Sequence, residues 1–423
     1  MERREFLYNS SMLCLASMLM QGCGSDLIHE EGKVTRRKFK DITLPLIGLG
    51  GIRYPLTKDS TLGKIDIDNY KTKEIIKYCM RKGVNLFDTA YTYTNSKAEK
   101  TLGTVLSSYN RSDYILASKI HTSWLKDSKE LLNCFNEQLK RLKTNYLDFY
   151  AVHDIKKEEE YKKFKKLGFD KVYKNLKKQK KIKYIGFSFH GDSELFDRVT
   201  DDSIWDYCYL KLNYQKFKNP DNDTIKIHNM CIKKNIPIFV MTPLEGGRLI
   251  DLKKDCLEKF KELYPDMTPV EYALKWPASQ KKVATVLSGI SSLKEAKENI
   301  HYFINFKEIK NDKNAIDILT KGITKLKIPC TYCGYCRDVC PQKIDIVEIF
   351  KTYQAYQRNK NLHSYKNLIK TVRGAKSCVK CMKCTHICPQ SIDFPSAINI
   401  INKEISYDRK SFTGNEFYQQ PLD

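Results

Sequence analysis

From residue 42 onward, short apolar runs alternate with longer amphipathic stretches, and this alternation limits the fold more than any other feature. The runs are Leu46–Leu49, Asn85–Thr89, Tyr114–Lys119, Leu147–His153, Tyr184–Phe189, Tyr207–Leu212, Ile236–Thr242 and Val283–Ser288. Between them lie Lys/Glu-rich stretches of helical periodicity; Leu131, Leu132, Phe135, Leu139 and Leu142 fall on one helix face. Continuously apolar strands separated by helices imply parallel pairing. Eight such units over about 250 residues are the arithmetic of a (β/α)8 TIM barrel. An open doubly wound sheet shares the periodicity, but no G-x-G-x-x-G fingerprint follows a strand. The chain has 423 residues, of which 41% are hydrophobic, so it can build this core and a second module.

Barrel chemistry belongs at the C-terminal ends of the strands. Asp88 ends the second run, with Tyr93 in the loop beyond; Lys119 ends the third and His153 the fourth. Taken singly, Asp88 could cap a helix and His153 could be a core residue. Taken together, these proton-active groups from consecutive strand ends converge on one mouth.

At these residues the sequence resembles the aldo/keto reductase family. The carriers are Asn85-Leu86-Phe87-Asp88-Thr89-Ala90 with Tyr93, then Ala117-Ser118-Lys119, then Asp148-Phe149-Tyr150-Ala151-Val152-His153. The resemblance runs from about Leu44 to Ile300. It implies that Tyr93 is the general acid to a carbonyl oxygen. A phenol titrates near 10 and needs help to release its proton. Lys119 would lower that pKa, Asp88 would hold Lys119, and His153 would orient the carbonyl. The resemblance also implies a nicotinamide site. Gly51 and Arg53 stand in the first loop, and Ser188 in the carboxamide position, with His190 replacing the family's Asn. Tyr209 falls where a Gln is expected, and Met241 where an aromatic often stacks on the ring. Thr242, Leu244 and Arg248 fit the pyrophosphate loop, and Glu298 and Asn299 the adenine end. Gly289 and Glu295 align with basic residues that hold a 2′-phosphate, so NADH versus NADPH, or no exchangeable nicotinamide, stays open.

The chain has 15 cysteines, eight of them in two tight runs. Cys330, Cys333, Cys336 and Cys340 precede Pro341; Cys378, Cys381, Cys384 and Cys388 precede Pro389. This is the bacterial ferredoxin spacing, twice. It predicts two [4Fe–4S] clusters, one on Cys330, Cys333, Cys336 and Cys388, the other on Cys378, Cys381, Cys384 and Cys340. Zinc ribbons rarely repeat a third cysteine and a Cys-Pro, and disulfide frameworks spread their cysteines. The helix-forming stretch from Val347 to Thr371 resembles an α-helical ferredoxin module. Aldo/keto reductases with this iron–sulfur tail form a recognisable subfamily.

Arg3 and Arg4 before the short apolar stretch Ser10 to Met20 resemble a twin-arginine signal. Met20-Gln21-Gly22-Cys23 resembles a lipobox. The expectation is a protein exported folded, periplasmic or membrane-anchored through Cys23, and cytoplasmic if the arginine pair is accidental. The net charge of +24 comes from lysines spread along helix surfaces, as in Lys177-Lys178-Gln179-Lys180-Lys181. That pattern suits a solvated face or an anionic membrane, and no nucleic-acid module is recognisable. The expected organisation is a signal peptide at 1–23, a barrel at 40–305, a helical linker at 306–326, a ferredoxin-like domain at 327–400 and a tail at 401–423. The combination predicts an enzyme that interconverts a small-molecule carbonyl and alcohol and exchanges electrons, through its clusters, with a redox partner protein or membrane electron carrier. Two alternatives remain at this point. The barrel could be a docking scaffold on an electron-transfer protein, or the clusters could be structural staples on an ordinary NAD(P)H reductase.

Overall fold

Apolar runs that bury both faces close into a ring. The computed structural model describes residues 32–58, 65–94, 96–202, 204–218, 222–388 and 390–412; the signal region and Cys23 lie outside these. Eight strands form a closed barrel: β1 (Ile47–Gly50), β2 (Leu86–Asp88), β3 (Ile115–Ile120), β4 (Leu147–Ile155), β5 (Ile182–Phe189), β6 (Tyr207–Lys211), β7 (Ile238–Met241) and β8 (Val283–Gly289). All eight adjacent pairings are parallel, and β8 closes on β1. Each strand lies within a few residues of its predicted run.

The barrel interior pairs large residues with small ones. Phe149, Tyr184, Tyr207, Tyr209 and Phe239 fill it beside Ala117, Ala151 and Ala284. A Cβ on Gly186 would stand 2.4 Å from the Tyr207 ring, so this position must stay a glycine for that ring to fit. An antiparallel hairpin, Arg36–Phe39 with Ile42–Pro45, precedes β1, and its Phe39 seals the barrel floor 5.0 Å from the Tyr184 ring.

Outside, amphipathic helices cover the strands. Helix Ser128–Leu142 starts at Asp127, whose side chain accepts from the Glu130 amide at 2.7 Å. It buries Leu131, Phe135, Leu139 and Leu142 as expected. Leu132 faces outward instead, and Gln138 takes its share of the buried face. Gln138 is satisfied there by Glu99 and the Ser118 hydroxyl, at 2.6 and 2.8 Å, so a polar side chain can stay inside.

Helix Lys313–Gly322 packs Ala315, Ile316 and Leu319 on the barrel core. Beyond it a second core gathers helices Ile346–Asn359, Leu362–Val372 and Phe394–Phe412 around Phe350, Tyr353, Tyr365 and Leu368. The last helix continues past residue 400 with Ile401 and Ile405 in that core. The two modules meet closely. Arg358 pairs with Asp251 at 2.6 Å, and the Thr324 amide donates to the Asp251 carbonyl at 2.9 Å. Gly246, at φ +72°, lies so near Thr331 that a Cβ would approach its carbonyl oxygen to 2.7 Å.

Candidate active site and cysteine centres

Parallel strands deliver their C-terminal residues to one rim, and the predicted tetrad sits there. Asp88, Tyr93, Lys119 and His153 all line a single cavity of about 620 Å³. The Lys119 ammonium donates to Asp88 at 2.6 Å and to the Thr89 carbonyl at 2.8 Å. Tyr209 donates to the other Asp88 oxygen at 2.6 Å. Burial raises the Asp88 pKa and lowers that of Lys119, and each charge opposes the other's shift. The pair is held by hydrogen bonds on both sides, as a buried ion pair requires.

Tyr93 is buried, with Lys119 Nζ 5.0 Å from its ring centroid. Its pKa is pushed well above 10, first by burial and then by the charges of Asp88 and Asp154. The expected lowering by Lys119 therefore does not prevail. The phenol keeps its proton, which a donor to a carbonyl oxygen needs. His153 is half-buried and neutral, because desolvation drives its pKa far below 6.5. Its Nδ1 has no hydrogen-bond partner among the described residues. His121 stacks on it with centroids 4.1 Å apart, and its own pKa is lowered to about 4 by burial.

The predicted nicotinamide contacts divide. Arg53, Met241, Thr242 and Leu244 line the cavity. The rest are engaged elsewhere. Gly51 packs under the Asp88 carbonyl and the Tyr54 ring. Ser188 accepts from the Asp154 amide at 2.6 Å. Arg248 is paired with Glu245 and bonded to Gln215 at 2.6 Å. Asn299 donates to Ser288 at 3.1 Å. Glu298 lies within 3.9 Å of Lys294 on its own helix. Glu295 turns back on the Ser291 amide at 2.8 Å. The residues present thus fit the nicotinamide half of a dinucleotide, along Arg53 and Met241 to Leu244. Gly289 and Glu295, the positions aligned with 2′-phosphate contacts, supply no basic side chain.

Sequence reading missed three participants. Tyr209 was noted only as a missing Gln, yet it braces Asp88. His121, one residue past β3, was passed over. Tyr335 comes from the C-terminal module: its ring centroid is 6.2 Å from that of Tyr93, and its phenol acts to lower the Tyr93 pKa. Thr331, Cys333 and Gln390 from the same module also line the catalytic cavity. The tyrosine between two cysteines of a tight run was the signal available.

The cysteines gather in two further cavities. One is lined by Cys330, Cys333, Cys336 and Cys388 with Val347, Phe350 and Ile392. The other is lined by Cys340, Cys378, Cys381 and Cys384 with Ile344. Each set is three cysteines of one run and the last of the other, as the spacing predicts. Ile346, Cys384 and Phe394 border both. Burial raises the Cys330 thiol to about 12 and also raises Cys333 and Cys336. Such sulfurs become thiolates readily only where a cation offsets their charge. The Tyr332 and Lys380 amides point at the sulfurs of Cys330 and Cys378, both at 3.4 Å. Donor set, apolar walls and amide–sulfur contacts all fit iron–sulfur clusters.

Comparison with known proteins agrees. The aldo/keto reductase family model matches residues 47–320, and a 4Fe-4S dicluster domain model matches residues 329–392. L-galactose dehydrogenase of Arabidopsis thaliana is 23% identical over 63% of this chain and 85% of its own. Glyoxal reductase of Bacillus subtilis is 26% identical over 68% of this chain and 94% of its own. Among solved structures, the holo form of an aldo-keto reductase from Bacillus halodurans superposes with a TM-score of 0.56. It is 20% identical and covers 70% of this chain and 99% of that one. An aldo-keto reductase from Klebsiella pneumoniae, in complex with NADPH, gives 0.52 at 18% identity, over 70% of this chain and 98% of that one.

Proposed function

This chain belongs to the aldo/keto reductase family, and we propose that it interconverts a carbonyl and an alcohol at the barrel mouth and exchanges the electrons through two [4Fe–4S] clusters. Tyr93 gives its proton to the carbonyl oxygen, or takes it back in the oxidative direction. Lys119 carries positive charge beside that phenol, fixed by Asp88. Neutral His153 shares the charge that develops on the oxygen. A nicotinamide bound along Arg53, Met241, Thr242 and Leu244 would supply or take up hydride at the carbonyl carbon. Clusters on the two cysteine sets would pass electrons singly, and two of them hold the electron pair that the reaction moves.

The observation that carries this reading is the shared wall: Cys333 and Tyr335 border the cavity that holds Tyr93, Lys119 and His153. That supports a working electron path over clusters that serve only as staples. A redox partner protein or a membrane carrier would take the electrons onward. Export through Arg3 and Arg4 in folded form, with or without lipid on Cys23, remains part of the proposal. Anaerobic assay of small carbonyls and alcohols with NADH and NADPH tests the chemistry. Turnover should vanish in Tyr93→Phe while nicotinamide binding persists; full activity in that variant rejects the tetrad.

A further inference from the structure

Lys211 ends β6, two residues beyond Tyr209 and on the same face of the strand. It lines the catalytic cavity. Lys211 is half-buried, and the acids that act on it, Glu245 and Asp154, are committed elsewhere. Glu245 pairs with Arg248 and accepts from Asn213 at 3.1 Å. Asp154 pairs with Lys156 at 2.7 Å and lies 3.4 Å from the neutral His190 ring. Among the described residues, Lys211 forms no ion pair or hydrogen bond of its own, and neither does Arg53, which lines the same cavity.

The carboxylates around the cavity are in the opposite state. Asp88 is neutralised by Lys119. Glu160 accepts from the amides of Lys156 and Lys157 at 2.7 and 3.2 Å. The charge left unanswered in this cavity is therefore positive. A buried cation without a partner is costly to keep, and such groups persist where a ligand completes them. A strand end at the mouth of a TIM barrel is where ligand contacts are made.

We propose that Lys211 binds an anionic group of the substrate, so that the carbonyl or alcohol compound carries a carboxylate or a phosphate beside the reacting carbon. This rests on reading the barrel mouth as a carbonyl–alcohol site. Arg53, across the first loop, adds to the attraction. An ammonium accepts either anion as a point charge, so both belong to the same class.

The test uses the full, cluster-loaded chain under anaerobic conditions. Paired compounds differ only in the anion: glyoxylate against glyoxal, and glyceraldehyde 3-phosphate against glyceraldehyde. In wild type, kcat/KM for the anionic member of one pair should exceed that of the neutral member at least tenfold. The pair that shows it tells carboxylate from phosphate. Lys211→Met should bring the ratio to about one, and Lys211→Arg should restore much of it. A wild-type ratio of one or less in both pairs, or a ratio unchanged in Lys211→Met, overturns the proposal. Calorimetry of lactate against lactamide, and of inorganic phosphate, reads the site without turnover. Lactate or phosphate bound by wild type and lost in Lys211→Met keeps the anion site even if no carbonyl is reduced, which would reject the reaction alone. If Lys211→Met weakens NADH or NADPH binding and leaves the anionic-to-neutral ratio intact, the anion belongs to the cofactor and the substrate assignment fails.

Discussion

The two cysteine cavities are built alike and bordered differently. The second run repeats the first 48 positions on (378 − 330), and left-handed residues recur at matching places: Tyr332 and Lys380, Gly334 and Met382, Lys343 and Ser391. The first cavity shares Thr331, Cys333, Tyr335 and Gln390 with the catalytic cavity. The second shares none of its lining residues with it. Cys381, the counterpart of Cys333, is exposed beside Val379, which is 58% exposed. Spacing alone shapes the loop; the surroundings decide what each loop can do. One cavity borders the tetrad, and the other has an exposed cysteine at its edge.

That contrast can be broken most sharply at its cysteines. Cys333→Ser should remove substrate-driven cluster reduction entirely, whereas Cys381→Ser, given an added one-electron acceptor for the second electron, should leave one cluster that substrate can still reduce. Each should lose about four irons per chain by metal analysis. Equal effects on substrate-driven reduction would erase the distinction. The next effect is at the matching positions Tyr335 and Lys383. Tyr335→Ala opens the roof over Tyr93 and should lower kcat/KM roughly 10- to 100-fold. Lys383→Ala, an exposed residue at the rim, should cost less than a tenth of that in steady-state assay.

Acidity sharpens the contrast further, because the mouth buries neutral histidines. His121 and His190 have pKa values lowered to about 4 and about 3, mainly by burial. Their unfolded values are near 6.5. Below pH 6.5 the unfolded chain binds protons that the folded chain refuses, so stability falls as pH drops towards 4. The slope is about 1.4 kcal/mol per pH unit for each histidine. Denaturant titration at pH 7 and pH 5 should show it, and His121→Gln should reduce it. The smallest effect lies at the junction. Arg358→Ala breaks a partly exposed pair with Asp251 and should cost about 1 kcal/mol or less in the same titration.

Much of this was legible beforehand for a physical reason. Parallel strands buried on both faces leave unbroken apolar runs, so all eight strands could be read. Cysteine spacing carries its own geometry, so the two crossed sets could be read as well. Leu132 was misplaced because helical spacing admits either neighbour at the edge of a face, and only the Glu99–Gln138 contact decides it. Arg248 reads as a pyrophosphate contact because sequence does not reveal that Glu245 folds onto it. Tyr335 was invisible as a wall of the active site because its contact with Tyr93 spans two modules.

The central claim is that the barrel mouth and the cysteine centre beside it act as one redox unit. Anaerobic mixing of the oxidised, cluster-loaded protein, preloaded with one equivalent of NAD+ or NADP+ as hydride acceptor, with an alcohol substrate, followed by rapid freezing and electron paramagnetic resonance, tests it directly. A reduced-cluster signal should appear at the rate of carbonyl formation in wild type, should need an added one-electron acceptor for the second electron in Cys381→Ser, and should be absent in Tyr93→Phe and Cys333→Ser. Carbonyl formed at full rate while every cluster stays oxidised would contradict it.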